Sequence, residues 1–369
     1  MNVAIAGIGD ELGPSKILLL REPGAGLEAF VVVDNVACGP SIGGIRMATD
    51  VTIDEVARLA RAMTLKNAAA GLPHGGGKAG IVAAPAVARP RKEALIRAFA
   101  RAIRDLTEYI PGPDMGVNEE CMAWIKDEIG RVVGLPKVLG GIPLDEIGAT
   151  GFGLAVAAEV AAPYAGIQVR GSSVAIQGFG AVGRHAARFL AHRGARLVAV
   201  SDSHGAILNV DGLALEELIA HKAKGEPLST FGKGRPISGD ELVSVECDIW
   251  IPAARPDVLN EKNVKPLKAR LVLQGANIPA TAEAEEWMHA NRILNIPDFI
   301  ANSGGVICAS VEYHGGTETQ AMAAIEDRIR TNTESVLERA KKQGCTPRHA
   351  ALEMARSRVE EAMRYRRVA

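Results

Sequence analysis

Cysteine is scarce in this chain. Cys38, Cys121, Cys247, Cys308 and Cys345 are odd in number, scattered, and include no Cys-x-x-Cys pair. That argues against a disulfide framework and against a zinc or other metal site, and it fits a reducing, cytoplasmic setting. Long apolar runs are also missing. None approaches the ~18 residues of a membrane span, so no membrane role is expected. The segment Met1-Asn-Val-Ala-Ile-Ala-Gly-Ile-Gly-Asp10 lacks a basic region and an apolar core of secretory length, so no secretory leader is expected. Neither sign of charge dominates: 42 Lys and Arg face 43 Asp and Glu, for a net charge of −1. No electrostatic footprint for nucleic acid or an anionic membrane follows. Low-complexity segments and internal repeats are absent too. What remains is 369 residues, 47% hydrophobic and 23% charged. That is ordinary globular composition, long enough for two domains with their own cores.

The most informative stretch is Met63-Thr-Leu-Lys-Asn-Ala-Ala-Ala-Gly-Leu-Pro-His-Gly-Gly-Gly-Lys-Ala-Gly80. Val56, Leu59, Ala60, Met63, Lys66 and Asn67 recur at spacings of three and four, a helical pattern. It puts Lys66 on an apolar face, where a lysine is costly unless it meets an anion. Gly71 and Pro73 stop the helix. Gly75-Gly76-Gly77 reads as a loop whose backbone can approach a ligand, and Lys78 emerges from it. An arbitrary Gly-Gly-Gly-Lys is more often a turn with a solvated lysine. The helix-face lysine ahead of it shifts the balance.

Around this stretch, Lys16–Arg21 and Leu27–Asp34 read as a hairpin across a Pro-Gly turn. Gly39-Pro-Ser-Ile-Gly-Gly-Ile-Arg46 reads as a second glycine loop, and Asp54 as a helix cap. A strand is expected from Gly80 and an amphipathic helix over 91–106. In Tyr109-Ile-Pro-Gly-Pro-Asp-Met-Gly116, Asp114 sits in an irregular turn of prolines and glycines. Two lysines, an aspartate and glycine loops together offer an anion clamp, a base and a proton carrier.

The second half contains a dinucleotide fingerprint. Ser173-Val-Ala-Ile-Gln177 is a strand, Gly178-Phe179-Gly180-Ala181-Val182-Gly183 the glycine turn, 185–193 a helix, and 196–202 a strand ending in Asp202. Asp202 lies 202 − 183 = 19 residues past Gly183, near the expected ~20. Gly178 should make the tight turn, Gly180 admit the pyrophosphate, and Gly183 let helix and strand touch. The helix N-terminus faces the pyrophosphate. Asp202 should accept from the ribose hydroxyls, which favours NAD, since a 2′-phosphate would meet a like charge. Ser203 and His204 soften that exclusion and leave NADP open. Helix-forming Thr150-Gly-Phe-Gly and strands at 247–254, 271–277 and 292–298 follow. Asn277 and Asn302 fall at strand ends, where ligand groups gather in a parallel sheet. The charged stretch 326–366 reads as helical and is expected to pack back across the domains.

In order, Met63-Thr-Leu-Lys-Asn, Leu72-Pro-His-Gly-Gly-Gly-Lys-Ala-Gly, Gly112-Pro-Asp-Met-Gly, Ala149-Thr-Gly, Gly178-Phe-Gly-Ala-Val-Gly, Gly275-Ala-Asn and Asn302-Ser-Gly-Gly-Val resemble the amino-acid dehydrogenases that act on glutamate, leucine, phenylalanine or valine. The resemblance runs from about residue 39 to 313. It implies an α/β protein of two domains separated by a cleft. An N-terminal substrate-binding and oligomerisation domain would span 1–148, with helices of 330–369 packing back, and a Rossmann-like NAD-binding domain 149–329. It implies reversible oxidative deamination of an L-amino acid to a 2-oxo acid and ammonium by a homo-oligomer. Carried over residue by residue, Lys66 binds the substrate α-carboxylate, Lys78 is the catalytic lysine and Asp114 shuttles protons. Thr150 and Asn277 lie near the nicotinamide. The backbone of Gly43 and Gly44 and the side chain of Asn302 help hold the substrate.

Two departures bear on the substrate. Where glutamate-specific members carry Lys-Gly-Gly-Leu-Arg, this chain has Ile42-Gly-Gly-Ile-Arg46. Where they place a serine four residues after the second glycine of Gly-Gly-Val, it has Ala309. An unpaired carboxylate buried there would cost several kcal/mol. Gly112 and Ala309 are small and leave room for a bulky side chain. The expectation is therefore a branched-chain or aromatic amino acid. Met122-Ala-Trp and Asp145-Glu-Ile-Gly-Ala-Thr-Gly look closer to the glutamate branch. A glutamate dehydrogenase with an unusual pocket is thus the alternative, and a catalytically silent cofactor-binding homologue the third reading.

Overall fold

Two β-sheets of different topology divide the chain. The computed structural model describes residues 9–366, so the N-terminal segment discussed above lies outside the described residues up to Ile8. The two compact units are Met1–Pro143 with Val306–Ala321 and Leu352–Ala369, and Leu144–Gly305 with Met322–Ala351.

The first unit holds β1 (Lys16–Glu22), β2 (Leu27–Asn35), β3 (Ser41–Ala48), α1 (Ile53–Ala69), β4 (Gly75–Val82), α2 (Arg89–Ala102), β5 (Tyr109–Pro113) and α3 (Glu119–Ile129). Its sheet runs β1-β2-β4-β3-β5. The hairpin β1–β2 is antiparallel, as is β2–β4, whereas β3 pairs in parallel with β4 and β5. Val31, Val33, Ile45, Ala79 and Ile81 bury one face under α2 and α3. Phe30 and Val32 bury the other against Val56 and Ala60 of α1. That alternation is what a sheet covered on both faces requires.

Here the structure corrects three local expectations. Gly75-Gly76-Gly77-Lys78 and Ser41 to Arg46 are strands, not loops. Their glycines serve close packing. A Cβ on Gly43 would lie 1.6 Å from the Gly77 carbonyl oxygen, one on Gly75 1.7 Å from that of Asn35, and one on Gly76 2.0 Å from the Thr64 nitrogen. Asp114 does sit in a turn, just past the end of strand β5, where the Val117 N–H donates to its carbonyl at 2.9 Å. Finally, α1 is capped by Thr52, whose side chain accepts from Glu55 N, rather than by Asp54. Thr52 has the extended backbone that a cap needs, while Asp54 already lies inside the helix.

The second unit holds α4 (Ala149–Ala161), β6 (Ser173–Gln177), α5 (Ala181–His192), β7 (Arg196–Asp202), β8 (Gly205–Leu208), α6 (Leu215–Ala223), β9 (Arg235–Ile237), α7 (Gly239–Val243), β10 (Ile249–Pro252), β11 (Leu271–Leu273), α8 (Ala282–Ala290), β12 (Leu294–Ile296) and α9 (Asp298–Ala301). Then come α10 (Gly304–Tyr313), α11 (Glu318–Gln343) and α12 (Pro347–Tyr365). The sheet order is β12-β11-β10-β6-β7-β8-β9, parallel from β12 to β7 and antiparallel beyond. Strand order reverses at β6, which makes its carboxyl end a topological switch point.

The tail is two helices, and it is shared between the units rather than returned whole to the first. Within the second unit, Ile329 of α11 fills the space left by Gly153 of α4, and Arg330 pairs with Glu159 at 3.1 Å. Arg348 at the start of α12 binds Glu285 at 2.7 Å and Asp298 at 2.9 Å. Within the first unit, Arg358 donates to the Ala68 carbonyl at 2.6 Å. Among the described residues no helix is long and apolar enough to cross a membrane.

Candidate active site

Strand β4 carries Lys78 into the interior of the first unit, where it is 7% exposed. Its Nζ lies 2.7 Å from Asp114 Oδ2. Arg46, on the adjacent β3, donates from Nε to the same oxygen at 3.1 Å and from Nη1 to Glu55 at 2.5 Å. Gly44 makes the room: a Cβ there would sit 2.7 Å from Asp114 Cβ and 3.2 Å from Lys78 Nζ. Burial pushes the Lys78 ammonium below its ordinary pKa against the pull of Asp114, and Arg46 adds to the fall. Burial alone would raise the Asp114 carboxyl, but Lys78 and Arg46 together hold it below its usual range. The result is an amine biased towards its neutral form beside a carboxylate biased towards its charged form.

Lys66 is half-buried in the last turn of α1. Next to it, Asn67 Nδ2 donates to the Gly75 carbonyl at 2.7 Å, tying that turn to the start of β4. Gly43 is fixed on the other side by the buried Tyr109 hydroxyl, which donates to its carbonyl at 2.9 Å. His74 precedes β4 and is 1% exposed. Its Nδ1 lies 3.1 Å from the Pro40 carbonyl oxygen, and its ring packs edge-on to Tyr313 at 5.7 Å. Burial pushes its pKa down to about 4.

Ile42 and Ala309, far apart in sequence, meet in one apolar cluster with Ile110 and Val133, and Tyr313 packs against it. Gly112 borders the same place, since a Cβ there would lie 3.0 Å from Val133 Cγ2. One turn along α10 from Ala309, Glu312 is buried and accepts three backbone N–H groups: Gly134 at 2.8 Å, Leu135 at 3.0 Å and Ile142 at 3.0 Å. It pins the loop that carries Val133. Arg46, Val133, Tyr313 and Glu312 were not singled out by the sequence reading. The available signals were Arg46 as the one charged residue of β3 and a glutamate three residues past Ala309.

In the second unit, Gly178 has φ +95° at the turn out of β6. A Cβ on Gly183 would lie 1.9 Å from the Gly178 carbonyl oxygen, so helix and strand touch there. A Cβ on Gly180 would meet nothing within 4 Å, and the α5 N-terminus it caps has no side-chain cap. Ala181 and Val182 form the first turn above the buried Phe179. Open space in front of uncapped helix amides fits a pyrophosphate. Asp202 ends β7. Asn302 Nδ2 donates to Asn277 Oδ1 and to the Ala276 carbonyl, each at 3.1 Å. Thr150, in the first turn of α4, puts its hydroxyl 3.5 Å from where a Gly305 Cβ would be. The candidates are thus assembled as two sets, Lys66, Lys78, Asp114, Ile42 and Ala309 in the first unit, and the glycine turn, Asp202, Thr150, Asn277 and Asn302 in the second.

Two family models match with this geometry. Residues 17–131 match the dimerisation domain of the Glu/Leu/Phe/Val dehydrogenases, and residues 140–367 match the Glutamate/Leucine/Phenylalanine/Valine dehydrogenase model. The chain belongs to this family. Its members are amino-acid dehydrogenases, oxidoreductases of CH–NH2 groups that use NAD or NADP. A glutamate dehydrogenase of Aeropyrum pernix is 37% identical over 355 residues, 90% of this chain and 85% of that relative. Among solved structures, hetero-hexameric glutamate dehydrogenase from Thermus thermophilus in a leucine-bound form superposes with TM-score 0.84 at 29% identity, covering 96% of this chain and 91% of that one. L-tryptophan dehydrogenase from Nostoc punctiforme superposes with TM-score 0.75 at 26% identity, covering 96% and 98%.

Proposed function

We propose that this dehydrogenase catalyses reversible NAD(P)-dependent oxidative deamination of an apolar L-amino acid, branched-chain or aromatic, to its 2-oxo acid and ammonium. The observation that carries the substrate class is that Ile42 and Ala309 meet in one apolar cluster with Ile110 and Val133, so that neither position offers a lysine or a serine. A substrate carboxylate placed against these side chains would lack the ammonium and serine hydroxyl that pair with it in glutamate-specific members, at a cost of several kcal/mol.

In this reading Lys66 holds the α-carboxylate, assisted by the Gly43–Gly44 backbone and Asn302. Lys78, biased towards its neutral form by burial, takes the proton from the substrate ammonium and so frees the nitrogen lone pair. Asp114 exchanges protons with the amine and with the carbinolamine that water addition produces. Once Lys78 has passed its proton to Asp114, which lies 2.7 Å away, the regenerated amine activates that water. Bound NAD(P) supplies the hydride acceptor. The Gly178–Gly183 turn and the α5 N-terminus hold its pyrophosphate, Asp202 its ribose, and Thr150 and Asn277 its nicotinamide end. The match to the N-terminal dimerisation domain supports a homo-oligomer.

The names of the relatives favour a second reading, glutamate as substrate. One panel separates the two: 2-oxo acids with ammonium and NADH or NADPH, followed by nicotinamide absorbance. Turnover of 4-methyl-2-oxopentanoate or phenylpyruvate without 2-oxoglutarate is expected. The reverse preference would establish the second reading.

A further inference from the structure

Asp298, the first residue of α9, ties together the two segments that carry Asn277 and Asn302. Its Oδ2 accepts from the Ile278 backbone N–H at 2.9 Å, one residue past Asn277. Its backbone carbonyl accepts from the Asn302 N–H at 2.7 Å. The two asparagines then meet, Asn302 Nδ2 donating to Asn277 Oδ1 at 3.1 Å. Asp298 is 6% exposed and is fixed on its far side as well. Arg348 donates to its Oδ1 at 2.9 Å, to Gln274 at 2.9 Å and to Glu285 at 2.7 Å. The Asp298 N–H donates to Gln274 at 3.2 Å, and Gln274 donates to Glu285 at 2.6 Å. All four polar atoms of Asp298 are thus engaged.

The residue that this carboxylate holds is strained. Ile278 has φ +47°, in the left-handed region. It is β-branched and precedes Pro279, and both features favour extended backbone. It is 54% exposed, so burial does little to reward the conformation. What holds it is backbone hydrogen bonding, the N–H to Asp298 and the carbonyl to the Asp257 N–H at 3.0 Å. Strain of this kind persists only where the surroundings over-determine it, and it gathers at functional sites. We propose that Asp298 is a positioning residue for hydride transfer. Its carboxylate, held by Arg348, keeps Ile278 left-handed and so sets Asn277 against Asn302. Without that clamp the 277–278 turn relaxes towards extended backbone, and Asn277 leaves the nicotinamide end of the cofactor. The contacts of the glycine turn and Asp202 with the dinucleotide remain, so alignment is lost while affinity is kept. This inference rests on the dehydrogenase reading, which uses both asparagines but neither Asp298 nor Arg348.

The test sets kcat for the preferred amino acid against NADH affinity, read by nicotinamide fluorescence, in the full-length protein. Asp298→Ala is expected to lower kcat by roughly tenfold to a hundredfold while NADH affinity changes by less than about threefold. Asp298→Asn, which keeps an oxygen for the Ile278 N–H, should stay within about fivefold of wild-type kcat. Ile278→Pro changes an exposed turn rather than a buried carboxylate, yet it removes the same N–H and forbids the left-handed backbone. It should lose kcat to the extent that Asp298→Ala does. Near wild-type kcat in Ile278→Pro, or in folded Asp298→Ala, would overturn the proposal. So would a fall in NADH affinity as large as the fall in kcat, the mark of a merely structural residue. Each of these results leaves the dehydrogenase reading standing, whereas wild type that turns over no amino acid would overturn that reading itself.

Discussion

Lys78 Nζ and Asp114 Oδ2 lie 2.7 Å apart, and Arg46 Nε reaches that same carboxylate oxygen at 3.1 Å. Two cations therefore compete for one oxygen. Because Asp114 is already shared, it does less to keep Lys78 protonated. Arg46 itself also depresses the lysine. Glu55 in turn fixes Arg46. The arrangement tunes a base as much as it holds a fold.

Arg46 can be tested through pH. Its loss removes a cation beside Lys78, so the Lys78 pKa rises and the neutral form appears only at higher pH. For Arg46→Met, the rise of kcat/KM with pH in amino-acid oxidation should move upward by about one pH unit. A profile superimposable on wild type would show that Arg46 is only a structural partner of Glu55.

The pocket wall can be converted. Ile42→Lys with Ala309→Ser places an ammonium and a hydroxyl where the apolar cluster now lies. Turnover of 2-oxoglutarate should appear or rise, and kcat/KM for 4-methyl-2-oxopentanoate should fall by about tenfold or more. Unchanged preference would show that these positions do not face the substrate side chain.

Glu312 supports that wall from behind. Glu312→Ala leaves three amide groups of the 134–142 loop without their acceptor and should destabilise the protein by about 3 kcal/mol in urea unfolding. Glu312→Gln retains one acceptor oxygen and should lose less. Equal losses for the two would argue that shape, and not the hydrogen bonds, matters there.

His74 predicts an acid-side weakness. The folded chain protonates it at about 4, whereas the unfolded chain does so near 6.5. Between those values the unfolded state binds more protons, so stability falls as pH is lowered through that window. The loss amounts to up to about 3 kcal/mol at the acid end. Denaturant midpoints of wild type and His74→Phe, compared between neutral and mildly acid pH, should converge as the pH drops. Parallel curves would contradict the neutral, buried assignment.

Much of the second unit is readable in the sequence because its signal is local. The strand, glycine turn, helix and acid of 173–202 sit within one contiguous segment, and each glycine has a separate steric reason. The first unit is less readable. Gly43, Gly75 and Gly76 look like loop residues because a sequence does not show what a missing side chain would strike. Here it would strike neighbouring backbone. Ile42 and Ala309 were legible through the family pattern, but Val133 reaches the same place on a loop without periodicity, held there by Glu312 of α10. Arg46 was visible only as the end of a glycine-rich stretch. Its role depends on β3 and β4 being paired, a long-range fact. The division of α11 and α12 between the units depends on Ile329 and Arg348 finding partners far away in sequence.

The central claim is that the Lys78 amine, buried and biased towards its neutral form, takes the proton that frees the substrate nitrogen. Lys78→Ala, assayed for turnover of the preferred amino acid alongside NAD(P)H binding by fluorescence, tests it most directly. Turnover should fall by roughly a thousandfold or more with dinucleotide affinity preserved. Near wild-type turnover in that variant would contradict the account.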